Sequence, residues 1–316
     1  MTTTCLAVLC AVLPALDEPQ TRATRPSDAL PEFRRTEDVI YGRKFGTALT
    51  MDVFAPTTAR NGAAVIWVVS GGWVSDHDRI APRSYAEFLR RGYTVFAVVH
   101  GSQPKYTIPE ILDDMHRAVR FIRFHAERFA IDPDRIGISG GSAGGHLALM
   151  MGLEQQPPRP KKKDPVDREL SRVAAVACFF PPTDFMNYGR PGRNALQAIQ
   201  EELRRFQAPF DFHQPDPDTG RFVPLADEHR RLQVLRRISP VTHVSADDPP
   251  VLMVHGDADA LVPIQQAQTL AEALRSAGVP VKLVVRPGAK HGWPGLHDDV
   301  ALFADWFDTH MPPTRP

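Results

Sequence analysis

One serine, two aspartates and one histidine stand in settings that make nucleophilic chemistry workable. Ser142 is the centre of Gly140-Gly141-Ser142-Ala143-Gly144, a G-x-S-x-G pattern with an apolar stretch before it and a helical pattern after it. A serine on a sharp strand-to-helix turn projects its hydroxyl into the open. The tight backbone tolerates only small neighbours, which accounts for glycine two residues before and two after. A helix starting at the next residue points its free amides, that of Ala143 first, at negative charge developing beside the hydroxyl. The dinucleotide pattern G-x-G-x-x-G is not met, since positions 137, 139 and 142 are Gly, Ser and Ser. His146, one turn into the helix, is placed to orient or pack rather than to act as the base.

A serine hydroxyl is a weak nucleophile near neutrality and needs a base, itself held by an acid. After Ser142 comes an apolar run ending in His255-Gly256-Asp257-Ala258-Asp259, where two aspartates compete. Asp257 lies just past the run and suits a turn; Asp259 lies further into the loop. The next apolar run, Val281–Val285, leads to Gly288-Ala289-Lys290-His291-Gly292. His291 is the expected base, with small neighbours leaving room for ring and substrate, and His297 is the reserve. A further glycine pair, Gly71-Gly72, follows the run Ala63–Val69 and precedes Trp73. Its backbone amides, with that of Ala143, are the expected oxyanion donors, and Trp73 is a candidate pocket wall. Asp76-His77-Asp78 has metal-like residue types but reads as a solvated loop, and no histidine pair has zinc-site spacing. A catalytic metal is not indicated.

These residues need a frame. Continuous apolar runs at Ala63–Val69, Thr94–Val99, Arg135–Ser139, Ala174–Phe180, Val251–His255 and Val281–Val285 fit strands covered on both faces. Between them, Ile108, Ile111, Leu112, Met115, Val119 and Ile122 form one helical stripe, and Gly144–Met151, Ile264–Ser276 and Asp298–Thr309 are further helices. Alternation of this kind predicts an α/β fold: a mostly parallel central sheet with helices on both faces. Residues 38–56 read as two short strands around Gly46. Residues 186–238 are a long interruption, with a predicted helix at Ala195–Phe206, and are read as an insertion or cap over the site.

The chain of 316 residues carries 37 basic and 37 acidic side chains, so no overall field favours nucleic acid. Residues Cys5–Leu16 form an apolar run too short to span a bilayer. It fits the apolar region of a secretory signal peptide, taken as residues 1–16, followed by a linker over 17–36 and a catalytic domain over 37–312. On that reading the protein is secreted or periplasmic. The alternative is a tail on a cytoplasmic protein. Oligomeric state is not legible in the sequence.

Taken together, VSGGW (69–73), DPDRIGISGGSAGG (132–145), HGDADALVP (255–263) and KHGW (290–293) resemble the α/β-hydrolase superfamily. More narrowly the chain is similar to bacterial carboxylesterases grouped with feruloyl and acetyl esterases and with hormone-sensitive-lipase-like enzymes. In that group the acid loop reads H-G-x-x-D-x-x-V-P, which places the acid on Asp259. The resemblance implies a serine ester hydrolase for short-chain acyl or carbohydrate-linked esters, with no cofactor. It also exposes a departure: relatives carry H-G-G-G-W where this chain has Val69-Ser70-Gly71-Gly72-Trp73. A prolyl-oligopeptidase-like peptidase and a non-catalytic binding protein of the same fold are the competing expectations.

Overall fold

The computed structural model describes residues 30–313. The expected signal peptide and residues 17–29 of the expected linker lie outside these. From Pro31 on, the chain forms one compact unit. The linker ends sooner than expected: Phe33–Thr36 already pair with Val53–Pro56. In chain order the strands are β1 (Phe33–Lys44), β2 (Thr47–Pro56), β3 (Ala64–Val68), β4 (Thr94–Val98), β5 (Ile136–Gly141), β6 (Ala175–Phe179), β7 (His213–Pro215), β8 (Phe222–Pro224), β9 (Val251–Gly256) and β10 (Val281–Arg286). Eight of them form one sheet in the order β1-β2-β4-β3-β5-β6-β9-β10. Only β2 runs against the rest, pairing antiparallel with both β1 and β4. The six apolar runs are its β3, β4, β5, β6, β9 and β10.

The helices are α1 (Ala86–Arg90), α2 (Ile108–Phe124), α3 (Ala126–Phe129), α4 (Ala143–Leu153), α5 (Ala195–Glu201), α6 (Glu228–Arg237), α7 (Gln265–Ser276) and α8 (Val300–His310). Side chains alternate across each strand with period two. Ala64, Ile66 and Val68 of β3 belong to the same core cluster as α2, α4 and α7, whereas Val65 belongs to the cluster that holds α1 and α8. Both faces are therefore covered, which is why these strands read as unbroken apolar runs rather than as alternations. α4 is buried along its whole length. It has no amphipathic stripe because the sheet lies on one side and the 186–238 insertion, through Ile238, on the other.

The insertion holds α5, two short 3-10 turns (Arg204–Phe206 and Ala208–Phe210), the β7–β8 hairpin and α6. The helix predicted to reach Phe206 stops at Glu201. Asn194 and Gln197 cap its start reciprocally.

Candidate active site

β5 delivers Ser142 to the turn before α4 with φ 55° and ψ −120°, a conformation L-residues rarely adopt. Its amide donates to Phe179 O at 3.0 Å and its carbonyl accepts from the His146 amide at 2.9 Å, so the strain is held from both sides. A Cβ at Gly140 would lie 2.6 Å from the Gly144 carbonyl carbon, and one at Gly144 would lie 2.9 Å from Val68 O. The two glycines thus let strand, helix and the end of β3 close on one point.

Two other strand ends reach the same point. The loop after β10 places His291 Nε2 2.9 Å from Ser142 Oγ. The loop after β9 places Asp259 Oδ2 2.7 Å from His291 Nδ1. The carboxylate accepts a hydrogen bond from Nδ1–H, which leaves Nε2 free to accept from the serine hydroxyl. Asp259 Oδ1 accepts from the amides of Leu261 and Val262 at 2.9 and 3.0 Å. Burial alone would raise its pKa, but hydrogen bonds from His255, His291 and the Val262 amide outweigh it and hold the carboxyl well below the usual range. Asp257 does what a turn residue does: exposed, it accepts from the Gly288 amide. His297 is exposed on the next 3-10 turn. Phe180, at a positive φ of 33°, sets its ring 4.3 Å from the imidazole of His291.

The turn after β3 corrects one expectation. The Gly71 amide donates to Val74 O at 3.0 Å, and the Val74 amide donates back to Gly71 O at 3.1 Å. Gly71 therefore spends its donor on closing the turn and does not offer it to substrate. The amides of Gly72 and Ala143 have no acceptor among the described residues. Gly72, Trp73 and Ser142 line one cavity. Where relatives carry H-G-G, support for the turn comes from the segment just after β4. Buried His100 donates its Nδ1–H to Gly101 O at 2.7 Å in a hydrogen bond, so Nε2 accepts from Ser70 Oγ–H at 2.9 Å. Nothing in the spacing of Ser70 and His100 announced this pair. Trp73 is both wall and packing: it lines the cavity while its indole N–H donates to His146 Nδ1 at 3.3 Å. His146 Nε2–H in turn donates to Ile238 O at 2.7 Å, which ties α4 to the end of the insertion.

Of the Asp76-His77-Asp78 group, Asp76 caps its own turn. His77 instead comes within metal-ligating reach of Asp38 and Asp52. The Arg35 guanidinium already lies 2.7 Å from Asp52, supplying the positive charge there.

Both supporting histidines make the fold acid-sensitive. Burial pushes His100 and His146 down to about 4, against small opposing contributions from their backbone hydrogen bonds. The unfolded chain titrates them near 6.5, so it binds protons first as pH falls. Stability is whole above about 6.5 and is lost between there and about 4, by roughly 3 kcal/mol per histidine. Asp114 returns part of this, because burial lifts its carboxyl to about 6 and it is protonated first in the folded state. The melting temperature is expected to fall by several degrees from pH 6.5 to pH 4. A flat profile in that window would contradict neutral burial of the pair.

Beside Ser142 lies a partly open cavity with about 430 Å³ of empty space, and half of its lining residues come from the insertion, among them Tyr188, Ile199, Leu203, Phe206 and Phe210.

A family model described as BD-FAE matches residues 51–274. The chain belongs to the BD-FAE family. The BD-FAE match takes in Gly72, Ser142 and Asp259 and stops before His291, whose place rests on the geometry above. Curated relatives include a probable carboxylic ester hydrolase LipM of Mycobacterium tuberculosis, 28% identical over 83% of this chain. Another is esterase LipC of the same organism, 29% identical over 72%. The chain spans 57% and 52% of the lengths of these two proteins. Among solved structures, a truncated carbohydrate esterase from gut microbiota superposes with a TM-score of 0.69 at 23% identity, covering 89% of this chain and 100% of that one. The apo form of Thermogutta terrifontis esterase 2 gives 0.66 at 24%, covering 93% and 100%. These likenesses, with the sheet order above, establish an α/β-hydrolase fold.

Proposed function

We propose that the chain is a serine carboxylic ester hydrolase that works through an acyl-enzyme. The observation that carries this is the continuous line of hydrogen bonds from Ser142 Oγ through His291 to Asp259 at 2.9 and 2.7 Å, with Ser142 in the wall of a cavity. Ser142 Oγ attacks the ester carbonyl carbon while its proton passes to His291 Nε2. Asp259 holds the ring and balances the imidazolium. The carbonyl oxygen, now negative, is received by the amides of Gly72 and Ala143. His291 then protonates the leaving alcohol oxygen as the C–O bond breaks. Water, deprotonated by the same nitrogen, releases the acid and restores Ser142.

Short-chain acyl or carbohydrate-linked esters are the substrates we favour, supported by the carboxylesterase relatives and the carbohydrate esterase neighbour. Export through the apolar run Cys5–Leu16 is part of the same proposal and rests on the sequence. Paired assays with p-nitrophenyl acetate and a peptide p-nitroanilide test the reaction class. Ester turnover faster than anilide turnover is expected. The reverse order would make the chain a peptidase, and turnover of neither would favour a binding protein.

A further inference from the structure

We propose that the cavity beside Ser142 is the site for the acyl group, that it takes a short hydrocarbon acyl chain, and that Phe206 of the insertion sets which chains enter. This rests on the serine esterase reading and extends it to the two halves of the substrate. The chemistry decides which half goes where. The leaving alcohol oxygen must receive a proton from His291 Nε2, so the alcohol lies on the His291 side of Ser142. His291 is not part of the cavity wall, which instead runs from Gly72 and Trp73 through Ser142 into the insertion. The imidazole side is open, with the His291 side chain 21% exposed and Gly292 half-buried beside it. A large alcohol fits there without entering the cavity, and the acyl group is left to fill it.

The wall excludes polar acyl groups for a physical reason. Apart from the reacting serine, its polar side-chain atoms are already turned to protein partners. The Tyr188 hydroxyl donates to Leu261 O at 2.7 Å, and the Trp73 indole N–H donates to His146. Among the wall's side chains only the Tyr188 oxygen is left to accept from the hydroxyl of a phenolic or hydroxylated acyl group, and a hydroxyl buried away from it goes unpaired at a cost of about 1–3 kcal/mol. Aliphatic chains carry no such cost.

Phe206 is a wall residue that belongs to neither core cluster. A Cβ on Gly72 would lie 2.8 Å from Phe206 Cε1, so the ring lies directly against the glycine whose amide faces the oxyanion. It sits on a 3-10 turn of the insertion, half-buried, with the Arg205 guanidinium 4.8 Å from its ring centre on the chain's outer side. Its size therefore limits the cavity close to the carbonyl without supporting the sheet. Trp73, by contrast, is bound into the His146 network, and changing it would disturb α4.

Two ester series test the assignment on the full-length protein. One keeps p-nitrophenol and lengthens the acyl group from acetyl to octanoyl; the other keeps acetate and varies the alcohol. For Phe206→Ala, the kcat/KM ratio of octanoyl to acetyl ester is expected to rise by about tenfold or more, the scale on which a hydrophobic pocket discriminates chain length. Phe206→Trp should lower the same ratio. Neither substitution should change the ranking within the alcohol series. Folding of both variants is checked by their melting temperatures, and opposite shifts from two variants cannot come from general loss of structure. A shift confined to the alcohol series would overturn the inference, because it would place the alcohol in the cavity. No shift in either series, in folded variants, would also overturn it. If wild-type protein hydrolyses no ester at all, the esterase reading itself falls first, and that outcome is distinct from any change in ranking.

Discussion

Ser142→Ala lowers kcat on p-nitrophenyl acetate by roughly 10⁴ to 10⁶, and the double variant Ser142→Ala/His291→Ala is no slower than the single one. The magnitude follows from what the hydroxyl does. On the proposed mechanism no acyl-enzyme forms without it, and the remaining rate is what the Gly72 and Ala143 amides give by polarising a carbonyl that water must attack unaided. The lack of additivity follows from the 2.9 Å contact between Ser142 Oγ and His291 Nε2. The two groups act as one device, and once either is gone the other has nothing to do. The fold should survive, since alanine keeps the Phe179 and His146 backbone bonds that hold the turn. A fluorophosphonate probe supplies a second readout, with mass added to the wild type at Ser142 and none to the variant. Turnover within tenfold of wild type would show that another group is the nucleophile.

How far the sequence reached can be read at particular residues. β3 and β6 were legible because both faces of each strand are buried, so their apolar runs are continuous and bounded by turn residues. The turn at Ser142 was legible because sterics demand glycine at 140 and 144, and that demand leaves a pattern. The helix expected to reach Phe206 shows how a correct pattern misleads. Ile199, Leu203, Phe206 and Phe210 keep the 3–4 spacing of a helix and all reach the cavity. The backbone between them nevertheless leaves the α-helix after Glu201 for 3-10 turns. Periodicity reports which side chains face inward, not which hydrogen bonds carry them there. Gly71 misled for a related reason. A glycine pair reads the same whether an amide faces substrate or closes its own turn onto Val74. Ser70 and His100 left no trace, because a hydrogen bond between the ends of two neighbouring strands imposes no spacing along the chain. The departure from H-G-G-G-W is nonetheless explained by it: the turn is supported by His100, just after β4, rather than by a histidine of its own.

Replacing Asp259 by asparagine lowers kcat by about 10⁴ while leaving the chain folded, and it separates the two aspartates that the sequence alone could not. The asparagine side-chain oxygen keeps the Oδ1 position and its bonds from the Leu261 and Val262 amides. Its NH2 group then faces His291 Nδ1, where the carboxylate had accepted a hydrogen bond from Nδ1–H. Two donors cannot face each other, so Nδ1 must become the acceptor and the proton moves to Nε2. A protonated Nε2 cannot take the proton of Ser142. The same substitution leaves the forming imidazolium without its counter-charge. The pH dependence has a definite sign. Hydrogen bonds overcome burial to hold the Asp259 carboxyl well below its ordinary value, so its stabilising contribution is present above about 3.9 and lost only as pH falls through the lower folded value. Loss of wild-type activity between pH 7 and 5 is therefore not a titration of Asp259. The matching variant Asp257→Asn should change kcat by less than about threefold, since an exposed turn residue that accepts from the Gly288 amide can do so equally well through an amide oxygen. Stopped-flow measurement of acylation and of deacylation with p-nitrophenyl acetate decides between them. Both steps should slow in Asp259→Asn, because His291 serves as base in each, and a larger effect at position 257 would move the acid to the other aspartate.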